Sequence, residues 1–146
     1  MGIVWIENAA WADVIAGDHI TAGDNAVLIQ IIDPDHTFPL PKHHFKETYQ
    51  FKFLDIERGM EGFDRFGIKK EQARQLVDIL YNAYAQQSNV VVHCFAGVSR
   101  SGAVVAAATL IGFQPVEKFR GPNRTVFELL AKIIEDDGNV KRLDSI

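Results

Sequence analysis

Cysteine is nearly missing from this chain: Cys94 is the only one in 146 residues. A lone cysteine excludes an internal disulfide framework and a four-cysteine zinc site. It also leaves Cys94 without a partner in the chain for a protective disulfide after oxidation. Positive charge is short as well, with 15 Lys and Arg against 19 Asp and Glu and a net charge of −4. That balance argues against a general binder of nucleic acid or of anionic membranes. Long apolar runs are absent. The longest, Ala103 to Phe113, is interrupted by Thr109 and Gly112 and is too short to span a bilayer. The N-terminus lacks the basic region and cleavage site of a secretory signal, and Ile6 stands where a myristoylated Gly2 would need Ser or Thr. With no low-complexity tract, repeat or linker, the expectation is one cytoplasmic domain over residues 1–146, its tail from about 139 free to fray.

What remains is an ordinary globular composition, 47% hydrophobic and 23% charged, with clear periodicities. Ile3–Ile6, the nearly continuous apolar run Ala26–Ile32, the alternating Tyr49–Leu54 and the stretch 90–93 read as strands. Ala9–Ile15 reads as a short helix. Lys69–Gln87 reads as a long one, with Ala73, Leu76, Val77, Leu80 and Tyr84 at helical spacing. A further helix runs from the residues after Cys94 to about Ile111. The last is opened by Pro122-Asn123, carries Val126, Phe127, Leu130, Ile133 and Ile134, and stops near Gly138. Asp33–Lys46, with three of the five prolines, and the glycine-rich Glu57–Gly67 read as loops. Alternating helices and apolar strands predict an α/β three-layer sandwich: a central, mostly parallel sheet of four to five strands flanked by helices. Its site would lie at the carboxyl ends of the strands.

Residues 93–102, His-Cys-Phe-Ala-Gly-Val-Ser-Arg-Ser-Gly, carry the chemistry. A strand ending at a tight glycine-containing loop that opens a helix makes an anion site, because loop N–H groups converge and the helix dipole adds positive charge. A cysteine at that mouth is favoured as the thiolate nucleophile. Backbone N–H groups of Phe95, Ala96, Gly97, Val98, Ser99 and Arg100 can ring a phosphate, and the Arg100 guanidinium adds a fork matched to two of its oxygens. Gly97 permits a backbone approach that a side chain would forbid. His93 can orient the loop, and Ser101 can donate to the sulfur and make it a better leaving group. Phosphate-ester cleavage also needs an acid for the leaving group.

His-Cys-x-x-Gly-x-x-Arg-Ser resembles the signature of cysteine-dependent protein phosphatases, and Ala96–Ser101 resembles their dual-specificity branch. Ile31-Ile32-Asp33-Pro34, Phe53-Leu54-Asp55 and Pro122–Val126 are similar to segments of small phosphatases of bacteria and phages; the likeness spans about residues 26–130. The resemblance implies Cys94 as nucleophile, Arg100 as phosphate-binding arginine and Ser101 as the hydroxyl assisting phosphoenzyme breakdown. It also implies an acid on a loop upstream of the cysteine, where Asp55, Glu57 and Asp64 all lie. Asp55 directly follows a strand and comes first; Asp64, just ahead of a helix, is the alternative. The Trp-Pro-Asp loop of the larger tyrosine-specific enzymes is absent, which favours the compact type. No cofactor and no metal is called for.

Plainer roles stand beside these. A cysteine after an apolar strand is usually a small buried hydrophobe, and Asp55 could be a turn residue or cap. Glu57, Arg58, Glu61 and Arg65 read as solvated charges. His36, His43 and His44 lack ligand spacing, though a loop folded over the site would bring them to the substrate. Arg120 or Arg124 could add a second anion contact, and Trp5 and Trp11 read as packing. The phosphate loop contains no lysine, so a phosphorylated protein or peptide fits better than an inositol phosphate or lipid. The rivals are a phospho-ligand-binding module without catalysis and an RNA 5′-phosphatase, the latter disfavoured because the chain lacks the basic excess expected of a nucleic-acid binder. An arsenate reductase needs further cysteines.

Overall fold

In a computed structural model, which describes residues 2–17, 22–117 and 121–139, one sheet of five parallel strands organises the chain. The strands are β1 (Trp5–Ala10), β2 (Val27–Ile32), β3 (Glu47–Lys52), β4 (Val90–Cys94) and the two-residue β5 (Gln114–Pro115), in spatial order β3-β2-β4-β1-β5. The helices are α1 (Trp11–Ala16), α2 (Phe63–Phe66), α3 (Lys70–Ala85), α4 (Arg100–Ile111) and α5 (Arg124–Asp136).

The expected three layers are present. Val27, Ile29, Ile31, Val90 and Val92 alternate with Leu28 and Val91 along β2 and β4, so the two sets face opposite sides of the sheet. The first set joins α3, α4 and α5 in the main core. The second joins Val14 of α1, Ala9, Ala26 and Phe45 in a smaller one. β2 and β4 are buried at every position, as central parallel strands covered on both faces must be. β3 is the edge, and Thr48, Gln50 and Lys52 point to water while Phe51 is buried.

Helix placement follows side-chain size. α4 is buried at ten of its twelve positions and presents Ala103, Ala106, Ala107 and Ala108, small enough to let it lie between sheet and neighbouring helices. α3 and α5 bury one stripe each, Ala73, Leu76, Val77, Leu80 and Ala83 on α3 and Val126, Leu130 and Ile134 on α5.

Three boundaries differ from the sequence reading. β1 runs on to Ala10 because Glu7, Asn8, Ala9 and Ala10 pair with Val91–Cys94, a ladder that hydrophobicity does not announce. β3 occupies Glu47–Lys52, and the chain leaves the sheet at Phe53. The glycine-rich segment holds the single turn α2.

Register sets the site. Ala10 is opposite Cys94 and Gln30 is opposite His93, so β1, β2 and β4 all end at one edge of the sheet. Topology completes it: β4 is inserted between β1 and β2, and its carboxyl end is flanked by the loops that leave them.

Candidate active site

Cys94 is the last residue of β4, 3% exposed, and Ser99 caps the helix that follows. The five residues between Cys94 and Arg100 curl back so that the Cys94 Sγ lies 3.1 Å from the Ser101 Oγ in the first turn of α4. Ser101 donates in turn to the Asn8 Oδ1 of β1 in a short hydrogen bond. The turn depends on Gly97, whose φ is +72° and whose added Cβ would stand 2.7 Å from the Ala10 N and the Ala9 carbonyl carbon. The loop is pressed onto the end of β1, with no room for a side chain. A second clasp is the Trp11 N–H donating to the Phe95 carbonyl at 3.0 Å.

The first amide of α4 to find a backbone acceptor is Ala103, which donates to the Ser99 carbonyl at 3.0 Å. The N–H groups of Arg100, Ser101 and Gly102 lie ahead of it in the first turn, beside the sulfur, where a helix offers its amides no intrahelical acceptor.

Arg100 is 5% exposed and fixed at one nitrogen. Its Nη1 donates to the Asp33 Oδ1 at 2.7 Å and to the Phe53 carbonyl at 2.6 Å. Its Nε is buried with no hydrogen-bond partner. Leaving such a donor unpaired costs about 1–3 kcal/mol, and an oxyanion in the loop would remove that cost. The side chain is thus held by one branch, with its Nε edge left for a ligand.

Asp55, just past β3, closes the far side. Its Oδ1 accepts from the Ser99 Oγ at 2.8 Å and from the Asn123 Nδ2 at 2.9 Å. Asn123 also donates to the Ile56 carbonyl at 3.1 Å, accepts from the Val126 N–H at 3.0 Å as the cap of α5, and donates its own N–H to the Ser99 carbonyl at 2.9 Å. One buried amide therefore joins the Asp55 segment, the loop between Cys94 and Arg100, and the last helix. The Thr125 Oγ1, accepting from the Arg58 N–H at 2.8 Å, adds a further tie.

A sequence model described as protein-tyrosine phosphatase matches residues 64–134, a stretch that contains β4, the loop, α4 and most of α5. Over that stretch the chain is similar to the protein-tyrosine phosphatases. No curated protein sequence matches it as a relative. Among solved structures, the human tyrosine phosphatase-like serine/threonine/tyrosine-interacting protein superposes with a TM-score of 0.59 at 16% identity, over 88% of this chain and 90% of that one. Human DUSP28 gives 0.57 at 14% identity, over 91% and 93%. At such identities the likeness is one of fold, and the fold is the compact one of the dual-specificity phosphatases.

The residues expected from sequence fall as follows. Cys94, Arg100, Ser101 and the loop Phe95–Ser99 form the cradle, and Asp55 reaches it through Ser99. Asp64 is exposed in the first turn of α2, where its backbone carbonyl, not its carboxylate, takes the Lys69 Nζ. His93 is fully buried, its Nδ1 3.3 Å from the Cys94 carbonyl and its ring edge-on to Trp11 at 6.3 Å. His36 reaches the rim, edge-on to Trp11 at 5.9 Å, whereas the His43 Nε2 lies 2.7 Å from the Gly23 carbonyl, in the turn before β2. Arg124 is exposed at the start of α5, and Arg120 lies outside the described residues.

Asp33, Asp35 and His36 bring one donor atom each within 4.8 Å of one another. Asp33 is already committed to Arg100, so a cation there would compete with the arginine.

Three side chains that the fold brings to the site escaped the sequence: Asn8, Asp33 and the amide of Asn123. Asn8 gives no signal, since one polar residue in a strand is ordinary. Asp33 did give one, a carboxylate directly ending a strand buried at all six positions.

Proposed function

We propose that the chain is a protein phosphatase, acting on phosphotyrosine or on both classes of phosphoprotein, through a phosphocysteine intermediate. The observation that carries this reading is the half-anchored Arg100: two acceptors on Nη1, none on a buried Nε, beside a cysteine sulfur and a helix N-terminus. Fixed donors of this kind stabilise charge on phosphate oxygens without reorganising.

The Cys94 thiolate attacks phosphorus, and the phosphorus–oxygen bond to the substrate breaks. Asp55 gives its proton to the departing oxygen. Both of its hydrogen bonds fall on Oδ1, so Oδ2 is the oxygen available to carry that proton. In the second step Asp55 takes a proton from water, the water oxygen bonds to phosphorus, and the phosphorus–sulfur bond breaks to release phosphate.

Ser101 has one proton for two acceptors. It is shared between Asn8 and the sulfur, and goes to the sulfur as the thiolate departs. Asp33 keeps Arg100 in place through both steps. His93 orients the strand end behind the cysteine. The substrate is a phosphorylated protein or peptide, and the setting is one domain working in the cytoplasm; no described helix is long and apolar enough to cross a membrane.

The test is turnover of an aryl phosphate, phosphopeptides, inositol phosphates and 5′-phosphorylated RNA by the wild type and by Cys94→Ser. Phosphopeptide turnover that Cys94→Ser abolishes, with inorganic phosphate still bound, is the expected result. Turnover surviving in Cys94→Ser overturns the nucleophile. Binding of phosphopeptides without turnover by the wild type would make the chain a binding module, and preference for inositol phosphate or RNA would replace the substrate class.

A further inference from the structure

A single exposed aromatic is ordinary on a protein surface. Phe95 differs by its position. It follows the nucleophile directly, it is 64% exposed, and it is anchored on one side. Its ring lies 6.3 Å from that of Trp11, tilted at 46°, and its carbonyl accepts from the Trp11 N–H at 3.0 Å. Trp11 is itself fixed from behind by His93 at 6.3 Å and flanked by His36 at 5.9 Å, both edge-on. The side of the mouth that continues β1 is therefore an aromatic wall of set orientation.

We infer that Phe95 and Trp11 select aryl over alkyl phosphate esters by packing against the ring that carries the phosphate. This deepens the phosphatase reading and rests on it, naming phosphotyrosine as the preferred substrate residue. A phosphate seated against the N-terminus of α4 puts its ester oxygen, and the first atoms beyond it, outside the loop. A phosphotyrosine ring starts at that point and meets the wall edge to face, an arrangement aromatic pairs favour. A phosphoserine has only one methylene there, and brings its polar backbone against exposed apolar carbon. The remainder of the loop supports the choice. Its other exposed side chain of any size is Val98, 38% exposed, on the far side near Gly121, and no lysine stands ready for a second phosphate.

The experiment uses the full chain with Cys94→Ser, so that binding is read without turnover. Two peptides of one sequence, carrying phosphotyrosine or phosphoserine, and inorganic phosphate are titrated by calorimetry. The readout is the ratio of the two peptide affinities. It should favour phosphotyrosine about tenfold or more, fall about five- to tenfold with Phe95→Ala, and be restored with Phe95→Tyr. Phe95→Leu, which keeps apolar bulk without a ring, should give most of the loss. Val116→Ala, an exposed position beside Trp5 at the other end of β1, should leave the ratio where it was. Equal affinities in the starting protein, or a Phe95→Ala loss shared equally by both peptides, overturns the wall. Wild-type turnover of neither peptide overturns the phosphatase reading, and the binding ratio still decides the wall.

Discussion

The loop after Cys94 and the Asp55 segment, the cradle and the acid of the proposed reaction, face each other across the same mouth, and they are built in opposite ways. The loop issues from a fully buried strand into a nearly fully buried helix, with Gly97 jammed against the backbone of Ala9 and Ala10. Packing fixes it, and packing leaves no alternative position. The segment after β3 is exposed at Asp55, Arg58, Gly59 and Met60, and it is held to the mouth by hydrogen bonds that Ser99 and Asn123 donate and one that Thr125 accepts. Such bonds contribute about 1 kcal/mol each and open individually. The difference matches the two tasks. An oxyanion cradle must not relax, whereas an acid must approach a leaving group, surrender a proton and then meet water.

Changes to each side should separate these roles. The largest effect is expected from Asp55→Asn, which should lower turnover of alkyl phosphate esters about 10²–10⁴-fold and spare activated aryl esters, whose leaving groups need less protonation. The acid must be protonated to act, so wild-type activity falls as pH rises past its titration. That basic limb should vanish in Asp55→Asn and persist in Asp64→Asn; the reverse pattern would move the acid to α2. Next, Gly97→Ala should strain the positive φ and drive a methyl into β1, costing about 3 kcal/mol of stability and about 10²-fold in activity. Thermal melts and kinetics on one preparation would show whether the loop is as unyielding as its packing requires. Asn123→Ala should reduce kcat about tenfold with little change in phosphate affinity, because it frees the acid side and leaves the cradle packed. A loss confined to phosphate affinity would contradict the division.

The smallest effect lies away from the mouth. Arg74 and Tyr81 of α3 both donate to Asp137 at the end of α5 and hold its carboxyl below the ordinary carboxylate range. A depressed native value stabilises the fold above the unfolded carboxylate range, and that contribution is lost as pH falls through it. Asp137→Asn should lower Tm slightly at neutral pH and not at all in strong acid. Activity should stay level throughout, as a melt series with parallel assays would show.

Much of this was readable in the chain. Strand β2 announces itself by an unbroken apolar run, and the stripes of α3 and α5 by their spacing, because burial on one or two faces dictates those patterns. The motif placed Cys94, Arg100 and Ser101 because its order along the chain is also its order in space. What stayed hidden was held by long-range pairing. Asp33 meets Arg100 across 67 residues and Asn8 meets Ser101 across 93, contacts created by inserting β4 between β1 and β2. Asp55 reads from its place after a strand, whereas its bonds to Ser99 and Asn123 join residues far along the chain and leave no local mark.

Asn123 has a wider consequence. Because one amide is shared by the loop, the acid segment and the cap of the last helix, occupancy of the cradle and integrity of the fold are linked quantities. An oxyanion held at a hundred times its Kd should raise the free energy of unfolding by about 2.7 kcal/mol. Product phosphate of the proposed reaction would then act on the protein in two opposing senses, as a competitor for its mouth and as a guardian of its lifetime.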